Sequence, residues 1–500
     1  MTDATRSERR IPSSLEAHFN PFRREILGID QRYRTPYGEQ RILYADWTAS
    51  GRLYRPIEER MLELAPWVGN THSGSSTTAA RMTEAYHLAR TRIKAAVNAG
   101  PRDVLVTAGS GMTTVVNKLQ RILGLRVPEV LRSRAELPEQ ERPVVFFTHM
   151  EHHSNHTSWL ETLADCVRLE PDAQGLVDRG ELERELARYS ARPLKIGAFT
   201  ACSNVTGVRT NYHDLARAMH AAGGVCLVDF AASAPYVEID MHPSDPAARL
   251  DAIYFSPHKF LGGPGTSGVL IFAADMDHNA VPDQPGGGTV DWTNPWGGHR
   301  YVSDLEQRED GGTPGFLQAI RTALCFDLKA RMGTEAMRAR EEELNRRVFA
   351  RLPRIPRVHV LAEHLTERQS IFSFYLEGIH YNLAAQILND RFGVQSRGGC
   401  SCAGTYGHYL LHVSPSRSKR ITDLIDHGDL SAKPGWVRIS LHPTTTDQEC
   451  DFLLDAIEET VAHIEEWARD YDYDPHTNEY RTRLAGGETD PVPGWLSLEK

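Results

Sequence analysis

The stretch that decides the fold is AIYFSPHKFLGGPGTSGVLIF, residues 252–272. Apolar runs at its two ends are predicted to be strands, and a glycine-rich turn joins them. The glycines permit tight turns and a close approach of the backbone to a bound group. Lys259 lies in this turn, just after the first strand. The segment alone predicts either an ordinary lysine in a loop between strands or a reactive amine above a bound ligand.

Strand-like and helix-like segments alternate on both sides of this stretch. Because strands joined by helices favour a mainly parallel sheet covered on both faces, the alternation predicts an α/β fold. The predicted strands are residues 41–47, 103–107, 144–148, 195–200, 225–229, 252–255 and 267–272. The predicted helices between them are residues 83–98, 113–123, 179–189 and 211–222.

A second, smaller domain is predicted towards the C-terminus. Residues 316–351 form a long helical stretch that connects to it. The domain itself is predicted from strand-like residues 371–376 and 436–441 and from helical residues 382–392 and 447–468. The predicted division is an N-terminal arm (1–40), a large domain (41–330), a small domain (331–470) and a polar tail (471–500).

The composition argues against several classes of protein. With 500 residues, 40% of them hydrophobic, and a formal net charge of −10, the chain does not suit a disordered protein or a nucleic-acid binder that relies on bulk positive charge. No apolar run approaches the ~20 residues of a membrane helix, and the first residues lack the apolar stretch of a secretory signal. Seven thinly spread cysteines do not suggest a disulfide framework. We therefore expect a cytoplasmic protein that binds neither nucleic acid nor membrane.

Two further segments supply chemical partners for Lys259, the best placed of the eight lysines. GSGMTTVVN (109–117) puts glycines between a strand and a helix, where free backbone N–H groups and the helix dipole can bind a phosphate. Glycines at such a turn are also found where no ligand binds, because the turn leaves no room for a side chain. Asp229 ends an apolar strand at a sheet edge, where it either faces a ligand or caps a helix. Together they describe a pyridoxal-phosphate site, with a covalently bound lysine, a phosphate-holding helix and an aspartate paired with the pyridinium nitrogen.

Four histidines offer an alternative from another enzyme class. His149, His152, His153 and His156 follow each other at helical spacing, and one helix face carrying them could hold zinc and make the protein a zinc hydrolase. The segment follows an apolar strand, however, so its first residues are expected in a loop. The HExxH pattern is also absent. We predict no metal site.

The ordered set of motifs resembles the class V aminotransferase family of pyridoxal-phosphate enzymes, and most closely its cysteine desulfurase/selenocysteine lyase branch. The resemblance runs from about residue 44 to 468 and rests on YADWTAS, NTHSGSST, GSGMTTVVN, MEHHSN, SNVTG, VDFAAS, FSPHKFLGGPGTSG, GGGTV, EDGGTPG, SRGGCSCAG and WVRISL. It implies the fold type I architecture, with a seven-stranded, mainly parallel sheet in the large domain and a smaller C-terminal α+β domain. It also implies pyridoxal phosphate as cofactor and a homodimer with shared active sites.

The resemblance also assigns the cofactor contacts by position. Lys259 resembles the Schiff-base lysine, Asp229 the pyridinium partner, and His152 the histidine that stacks on the cofactor ring. Asn204 matches an asparagine that faces cofactor and substrate. Thr313 resembles a threonine that reaches the phosphate of the neighbouring subunit. The remaining phosphate contacts correspond to Met112 (through its backbone N–H), Thr113, Ser256 and His258.

The substrate contacts follow in the same way. Arg438 resembles the arginine that clamps the substrate carboxylate, a task suited to a planar guanidinium. Cys402 lies five residues after Arg397, which is the spacing of the sulfur-accepting cysteine in the desulfurase branch, and Cys400 is an additional thiol. With Lys259 and His152, Cys402 completes the expected catalytic residues. The other expected substrate contacts are Arg397, Asn204, Ala49 and His72.

The function implied is cleavage of a C–S or C–Se bond in a cysteine-like amino acid, with release of alanine and transfer of sulfur, in some cases to an acceptor protein. Three departures keep transamination, epimerisation and β-elimination of another amino acid open. Ala232 replaces a frequent family glutamine near the cofactor oxygen, which leaves Ser233 as a candidate donor. Residues 403–437 are longer than in a typical desulfurase, and residues 124–142 and 292–307 are further expansions.

Overall fold

The structure, a computed structural model, describes residues 14–486 and 491–498, so residues 1–13 of the predicted arm and residues 487–490 and 499–500 of the predicted tail lie outside the described residues. The helices are α1 (Glu16–Arg23), α2 (Arg55–Leu64), α3 (Thr77–Ala96), α4 (Met112–Ile122), α5 (His153–Leu160), α6 (Arg179–Arg188), α7 (Tyr212–Ala221), α8 (Leu305–Arg308), α9 (Phe316–Met332), α10 (Thr334–Arg351), α11 (Tyr381–Phe392), α12 (Gly404–Leu410), α13 (Pro415–Asp426), α14 (Asp447–Trp467) and α15 (Val492–Trp495). The strands are β1 (Arg32–Thr35), β2 (Gly38–Arg41), β3 (Leu43–Tyr44), β4 (Asp103–Ala108), β5 (Val144–Phe147), β6 (Asp165–Arg168), β7 (Lys195–Thr200), β8 (Val225–Asp229), β9 (Ala252–Phe255), β10 (Gly268–Ala273), β11 (Val290–Thr293), β12 (His299–Tyr301), β13 (Val358–Val360), β14 (Ile371–Leu376), β15 (Val394–Gln395), β16 (Arg397–Gly399), β17 (Trp436–Ser440), β18 (Tyr471–Asp474) and β19 (Glu479–Thr482).

A seven-stranded sheet in the order β4-β10-β9-β8-β7-β5-β6 forms the centre of the larger half. Strands β9, β8, β7, β5 and β6 pair in parallel, and only β10 runs antiparallel to its two neighbours, β4 and β9. Every residue of β7 and β9 is buried, as expected for strands covered by helices on both faces. The predicted α/β class and the mainly parallel seven-stranded sheet are confirmed.

The membership of this sheet differs from the prediction by one strand. The predicted strand 41–47 is not a member of the large sheet: Arg41 ends β2, and Leu43–Tyr44 forms β3, which pairs in parallel with β15. The seventh member is instead β6, which lies at the sheet edge and has half-buried or exposed side chains. Its sequence, DCVR, lacks the apolar run on which strand prediction depends.

The predicted helix over residues 316–351 is two helices, α9 and α10. Gly333 separates them with a φ of +82°, in the left-handed region that glycine adopts readily. Its neighbours continue the helical hydrophobic pattern on both sides, which is why the break is not visible from the periodicity. The two helices lead from the large sheet to the C-terminal α+β unit.

The C-terminal unit is built on a four-stranded sheet in the order β13-β14-β17-β16. Its pairs are antiparallel, and helices α11 and α14 pack together beside it. A hydrophobic cluster that contains Leu344, Phe372, Ile439 and Leu453 fills the space between them. The boundaries between the predicted domains stay a prediction.

The predicted polar tail begins with an ordered hairpin. Strands β18 and β19 pair in antiparallel fashion, and Tyr471 is 4% exposed. The hydroxyl of Tyr471 donates to the Asp390 carboxylate at 3.1 Å. The first part of the 471–500 segment is therefore packed on α11. Within the described residues, no helix is both long enough and apolar enough to cross a bilayer.

The sheet brings together polar residues that are far apart in sequence. Thr200 and Asp229 are paired at the carboxyl ends of β7 and β8, and β9 ends next to them at Phe255. Helix α4 begins at the same edge, after β4. Because ligands of open α/β sheets bind outside the carboxyl ends of the strands, this edge is where a site is expected.

Candidate active site

A cavity of about 470 Å³ opens at this edge, between the large sheet and the C-terminal unit. It collects most of the residues that the sequence singled out. On the side of the large sheet its lining includes Lys259, Asp229, His152, Ser256, His258 and Thr113. Towards the C-terminal unit the lining includes Asn204, Ala49, Arg397 and Arg438.

Lys259 and Asp229 carry groups of opposite charge, and both line the side of the cavity formed by the large sheet, which we call the floor. Burial lowers the pKa of the Lys259 amine to about 8, although the Asp229 carboxylate acts in the opposite direction. Burial raises the pKa of Asp229 to about 6, while a 2.8 Å hydrogen bond from the Ala231 N–H and the charge of Lys259 oppose the rise. Near neutral pH the floor therefore offers an amine that loses its proton easily beside an ionised carboxylate.

The N-terminus of α4 forms a cradle at the other end of the floor. Its N-cap, Gly111, provides no side-chain cap, and the Met112 N–H donates to Ser256 Oγ at 2.9 Å. A Cβ atom at Gly111 would lie 3.1 Å from Ser256 Oγ and 3.5 Å from His258 Nε2, so glycine keeps this space clear. Thr113 Oγ1 lies 2.7 Å from the hydroxyl of Ser154. Uncapped N–H groups, hydroxyls and an imidazole make a binding site for a phosphate.

His152 is held in the cavity wall as an uncharged ring. It is the N-cap of α5, and its Nδ1 accepts a hydrogen bond from the Ser154 N–H at 3.1 Å. Burial, with the charge of Lys259 as a further cause, lowers the pKa of His152 to about 3. A neutral imidazole with a fixed orientation is suited to stacking against a planar ring.

Two arginines share one carboxylate at the mouth of the cavity. Arg438 Nη2 donates to Asp46 Oδ1 at 2.6 Å, and Arg397 Nε lies 3.4 Å from Asp46 Oδ2. Arg438 is buried and also donates to the Asn204 carbonyl oxygen at 3.1 Å, whereas its Nε is buried without a partner. The mouth thus keeps a net positive charge and unused donors, which suits a carboxylate ligand.

The segment that carries Cys402 lies beside these arginines. Ser401 lines the cavity and Cys402 is exposed, while Cys400 is half-buried. Both Ser401 and Cys402 adopt left-handed backbone conformations, with φ of +52° and +56°. The expanded segment that follows, residues 403–437, contains helices α12 and α13.

Comparisons with known proteins agree with this geometry. A model of the family described as aminotransferase class-V matches residues 43–453. The chain belongs to the class V aminotransferase family. A probable cysteine desulfurase from Halalkalibacterium halodurans is 28% identical over 353 residues, which are 70% of this chain and 80% of that protein. Probable cysteine desulfurase 2 of Mycobacterium leprae is 27% identical over 402 residues, 79% of this chain and 91% of that protein.

Solved structures show the same fold. A cysteine desulfurase from Thermococcus onnurineus NA1, solved in its apo form, superimposes with a TM-score of 0.70 at 21% identity and covers 91% of this chain and 99% of that chain. A cysteine desulfurase from Escherichia coli gives a TM-score of 0.67 at 22% identity, over 88% of this chain and 98% of that one. The resemblance stated from the sequence is confirmed, and this class V chain is a pyridoxal-phosphate-dependent enzyme.

The residues present fit that cofactor. The α4 cradle matches its phosphate, Lys259 its aldehyde, Asp229 its ring nitrogen and His152 its ring face, and all four border one cavity. Ala232 lines the cavity where the family often has glutamine. Ser233, considered as a replacement donor, does not border the cavity, and its hydroxyl is buried without a partner.

Three of the predicted site residues do not border the cavity of their own chain: Cys402, which follows the lining residue Ser401, and also His72 and Thr313. His72 is exposed, with its ring centroid 6.5 Å from that of Tyr86. Thr313 is exposed in the loop before α9. Neither borders the cavity, so the substrate contact predicted for His72 is not formed within one chain, and the contact predicted for Thr313 with a neighbouring subunit stays a prediction.

The four histidines do not form a metal site. Helix α5 begins only at His153, so the residues before it do not continue its face. His149 Nε2 lies 3.1 Å from the Gly175 carbonyl oxygen, and His153 Nε2 accepts the Gly404 N–H at 2.9 Å. In residues 14–486 and 491–498, no group of three or more His, Cys, Asp or Glu side chains could hold a metal ion. The geometry gives the zinc-hydrolase alternative no support.

Sequence reasoning missed Asp46 and Glu151. Asp46 belongs to the motif YADWTAS, and its conspicuous signal was a lone acid among small and aromatic residues. Glu151 is 2% exposed and accepts hydrogen bonds from the Thr148 and Thr200 N–H groups at 3.2 and 2.9 Å. Through Thr148 and Thr200 it joins the ends of β5 and β7, and Thr200 is the residue that pairs with Asp229 on the neighbouring strand β8.

Proposed function

We propose that this chain is a cysteine desulfurase or selenocysteine lyase, which removes sulfur or selenium from a cysteine-like amino acid and releases alanine. The observation that carries the proposal is the position of Cys402. This exposed thiol follows directly on Ser401, which borders the cavity together with Arg397 and Arg438. A thiol placed next to a carboxylate-binding pair and an amino-acid site is what sulfur abstraction requires.

The residues of the floor bind and orient the cofactor. The α4 cradle would bind its phosphate, His152 would pack on its ring, and Lys259 would hold it covalently in the resting enzyme. When bound, pyridoxal phosphate supplies an electron sink for negative charge at the substrate Cα. Asp229 sustains that sink because a carboxylate favours the protonated form of a nearby ring nitrogen.

Lys259 Nζ also moves the proton of the substrate Cα. A general base works best when its pKa lies close to the working pH, and burial brings the pKa of Lys259 to about 8. The same amine, once protonated, is placed to return a proton to the product. Its position on the floor, opposite the arginines, puts the substrate between base and clamp.

The two arginines orient the substrate by its carboxylate. Arg438 is held from two sides, by Asp46 and by the Asn204 carbonyl oxygen, so its guanidinium does not need to be ordered when substrate arrives. Arg397 is more exposed, at the outer rim. Their clamp directs the β-carbon and its sulfur towards the Cys402 segment.

Sulfur transfer then takes place on this chain's own thiol. The Cys402 thiolate attacks the substrate sulfur, an S–S bond forms and the substrate C–S bond breaks, with its electron pair remaining on carbon. Protonation of that carbon yields alanine and leaves a persulfide on Cys402. A thiol or an acceptor protein then removes the outer sulfur, and the exposure of Cys402 allows such a partner to approach.

A homodimer with shared active sites belongs to the same proposal. Its support is Thr313, which lies exposed and outside the cavity of its own chain. In a dimer this hydroxyl is available to the phosphate cradle of the partner. A reducing, cytoplasmic location is proposed as well, since all seven cysteines are free thiols.

The test compares Cys402→Ala with Cys400→Ala, a matched loss of a thiol two residues away. Purified enzyme is incubated with cysteine, with selenocysteine and with a panel of other amino acids, and sulfide, selenide, alanine, pyruvate and keto acids are measured. We expect alanine and sulfur release from cysteine, loss of both in Cys402→Ala, and little change in Cys400→Ala. Mass spectrometry should find a persulfide on the wild-type peptide that contains Cys402.

Other outcomes separate the alternatives. Persistent release of selenide from selenocysteine in Cys402→Ala identifies a lyase whose thiol is needed only for sulfur. Keto acid from another amino acid identifies a transaminase, and pyruvate identifies β-elimination. If both variants match the wild type on cysteine and no persulfide forms, the desulfurase proposal is wrong.

A further inference from the structure

His153 stands next to the ring-stacking His152, yet its side chain does not border the cavity. It contacts the segment of Cys402 from two sides. The backbone N–H of His153 donates to the Cys402 carbonyl oxygen at 2.8 Å, and its ring Nε2 accepts the Gly404 N–H at 2.9 Å. One residue of the large domain therefore bonds to the residue before Ala403 and to the residue after it.

The bond from Gly404 also fixes the protonation of the ring. A backbone N–H can only donate, so Nε2 of His153 must carry a lone pair and any ring proton must lie on Nδ1. Burial, with Lys433 as a further cause, lowers the pKa of His153, which keeps the ring in this neutral form. A Cβ atom at Gly404 would lie 3.2 Å from Nε2, so a glycine at this position lets the ring approach closely.

The segment held in this way is strained. Ser401 and Cys402 both have a positive φ, which residues with a side chain adopt only at a cost in free energy. Such conformations persist where surrounding contacts impose them. Here Asn204 Nδ2 donates to the Ser401 carbonyl oxygen at 2.7 Å, and Trp436 Nε1 donates to Ser401 Oγ at 3.2 Å. These two bonds hold Ser401, while those of His153 hold the part that follows.

We infer that His153 is a positioning residue for sulfur transfer: it clasps the Cys402 segment against helix α5 and so presents the thiol at the cavity mouth. This inference rests on the proposed function. It assigns His153 no contact with cofactor or substrate. The two hydrogen bonds of His153 fix the backbone at Cys402 and at Gly404. Because the segment is ordered before substrate binds, the thiol is already close to its reacting geometry.

The test uses four variants of the holoenzyme. His153→Ala removes the ring acceptor but keeps the backbone bond, and His153→Gln restores an acceptor, since the Gln amide oxygen can take the place of Nε2. Gly404→Ala crowds the same bond from the other side. Thr157→Ala is the control, because its exposed hydroxyl bonds within α5 to the His153 carbonyl oxygen and does not touch the Cys402 segment.

For His153→Ala and Gly404→Ala we expect faster hydrogen exchange in the peptide that contains Gly404. With cysteine as substrate, kcat should fall by about 10- to 100-fold while KM and the absorbance spectrum of the bound cofactor change little. His153→Gln should recover most of both effects, and Thr157→Ala should behave like the wild type. A purely structural role would lower stability without this split between kcat and KM or this rescue.

Two results overturn the inference. One is unchanged hydrogen exchange and unchanged kcat in both His153→Ala and Gly404→Ala. The other is an altered cofactor spectrum in His153→Ala, which would mean that the residue acts through His152 and the cofactor. If the wild type releases no sulfur from cysteine, the proposed function fails, whereas the exchange measurement still decides whether the clasp exists.

Discussion

The floor and the mouth of the cavity are built in different ways. The floor residues Lys259 and Asp229, together with the α4 cradle, lie at the ends of neighbouring elements of one buried sheet. The mouth joins residues from separate parts of the chain: Asn204, Arg397 and Arg438 line the cavity, and Asp46 pairs with both arginines. The floor is thus built on one sheet, whereas the mouth combines strands β16 and β17 of the C-terminal unit with segments of the large half that carry Asp46 and Asn204. The fold therefore places the groups for the cofactor chemistry and the groups that select the substrate in different parts of the molecule.

The two regions also differ in their charge. On the floor, one amine and one carboxylate carry opposite charges. Burial lowers the pKa of Lys259 while Asp229 raises it, and burial raises the pKa of Asp229 while Lys259 lowers it. At the mouth, two guanidiniums surround the single carboxylate of Asp46. The floor is thus electrically balanced for a zwitterionic cofactor, and the mouth is left positive for an anionic substrate group.

The largest expected effect comes from the floor. Lys259→Ala should abolish covalent attachment of the cofactor and lower turnover by more than about 10³-fold, because the variant loses both the attachment point and the base. Borohydride treatment followed by peptide mapping should label the wild-type peptide that contains Lys259. Loss of the yellow absorbance in the variant should accompany the loss of the label.

Lys329 serves as the comparison for that experiment. It is also buried, but its amine donates to the Ala234 carbonyl oxygen at 2.8 Å, away from the cavity lining. Labelling of Lys329, or of any lysine other than Lys259, would show that the cofactor is attached elsewhere.

A smaller and different effect is expected at the mouth. Arg438→Lys should raise KM for cysteine by about 30-fold, which corresponds to ~2 kcal/mol for a charge-assisted hydrogen bond, because an ammonium cannot reproduce the planar two-point contact. The cofactor spectrum should stay unchanged, since Arg438 acts on the substrate. Steady-state kinetics with an absorbance spectrum of each preparation measure both.

Arg397→Lys is the matched control for Arg438→Lys. Arg397 is exposed at the rim and lies farther from Asp46, at 3.4 Å compared with 2.6 Å for Arg438, so its substitution should raise KM less. If Arg397→Lys has the larger effect, the clamp lies at the rim. If Arg438→Lys changes the cofactor spectrum, the separation between floor and mouth does not hold.

Most of the sheet could be predicted from sequence because its strands are buried on both faces and therefore read as apolar runs. Strand β7 has the predicted bounds, 195–200, and β8 and β9 coincide with the predictions as well. Strand β6 could not be predicted in this way, since an edge strand needs no continuous apolar run. The break at Gly333 depends on a backbone angle, which hydrophobic periodicity does not report.

The residues of the site also differ in how well the sequence could predict them. Floor residues follow strand ends directly, so local motifs reveal them. Asp46 and His153 act through partners that are hundreds of residues away in sequence, and such pairings become visible only when the chain is folded. His72 was assigned from a motif alone, and the structure places it outside the cavity.

The smallest expected effect concerns the contact proposed between Thr313 and the phosphate cradle of a partner subunit. Thr313→Ala should weaken cofactor binding about fivefold, which corresponds to ~1 kcal/mol for one hydrogen bond, while kcat at saturating cofactor stays near the wild-type value. Reconstitution of the apoprotein at increasing pyridoxal-phosphate concentrations measures the affinity. Thr157→Ala, the loss of another exposed threonine hydroxyl, should leave that affinity unchanged.

Mixed dimers of Thr313→Ala and Lys259→Ala chains decide where the hydroxyl acts. In a dimer with shared sites, the site that retains Lys259 receives its threonine from the Lys259→Ala partner, so it has every floor group. Its covalent cofactor should then bind with wild-type affinity. If Thr313 instead serves its own chain, the site with Lys259 lacks the hydroxyl and keeps the fivefold weaker affinity of the Thr313→Ala homodimer. In that case the floor would be complete within one subunit, and the loop before α9 would have to close over its own cavity.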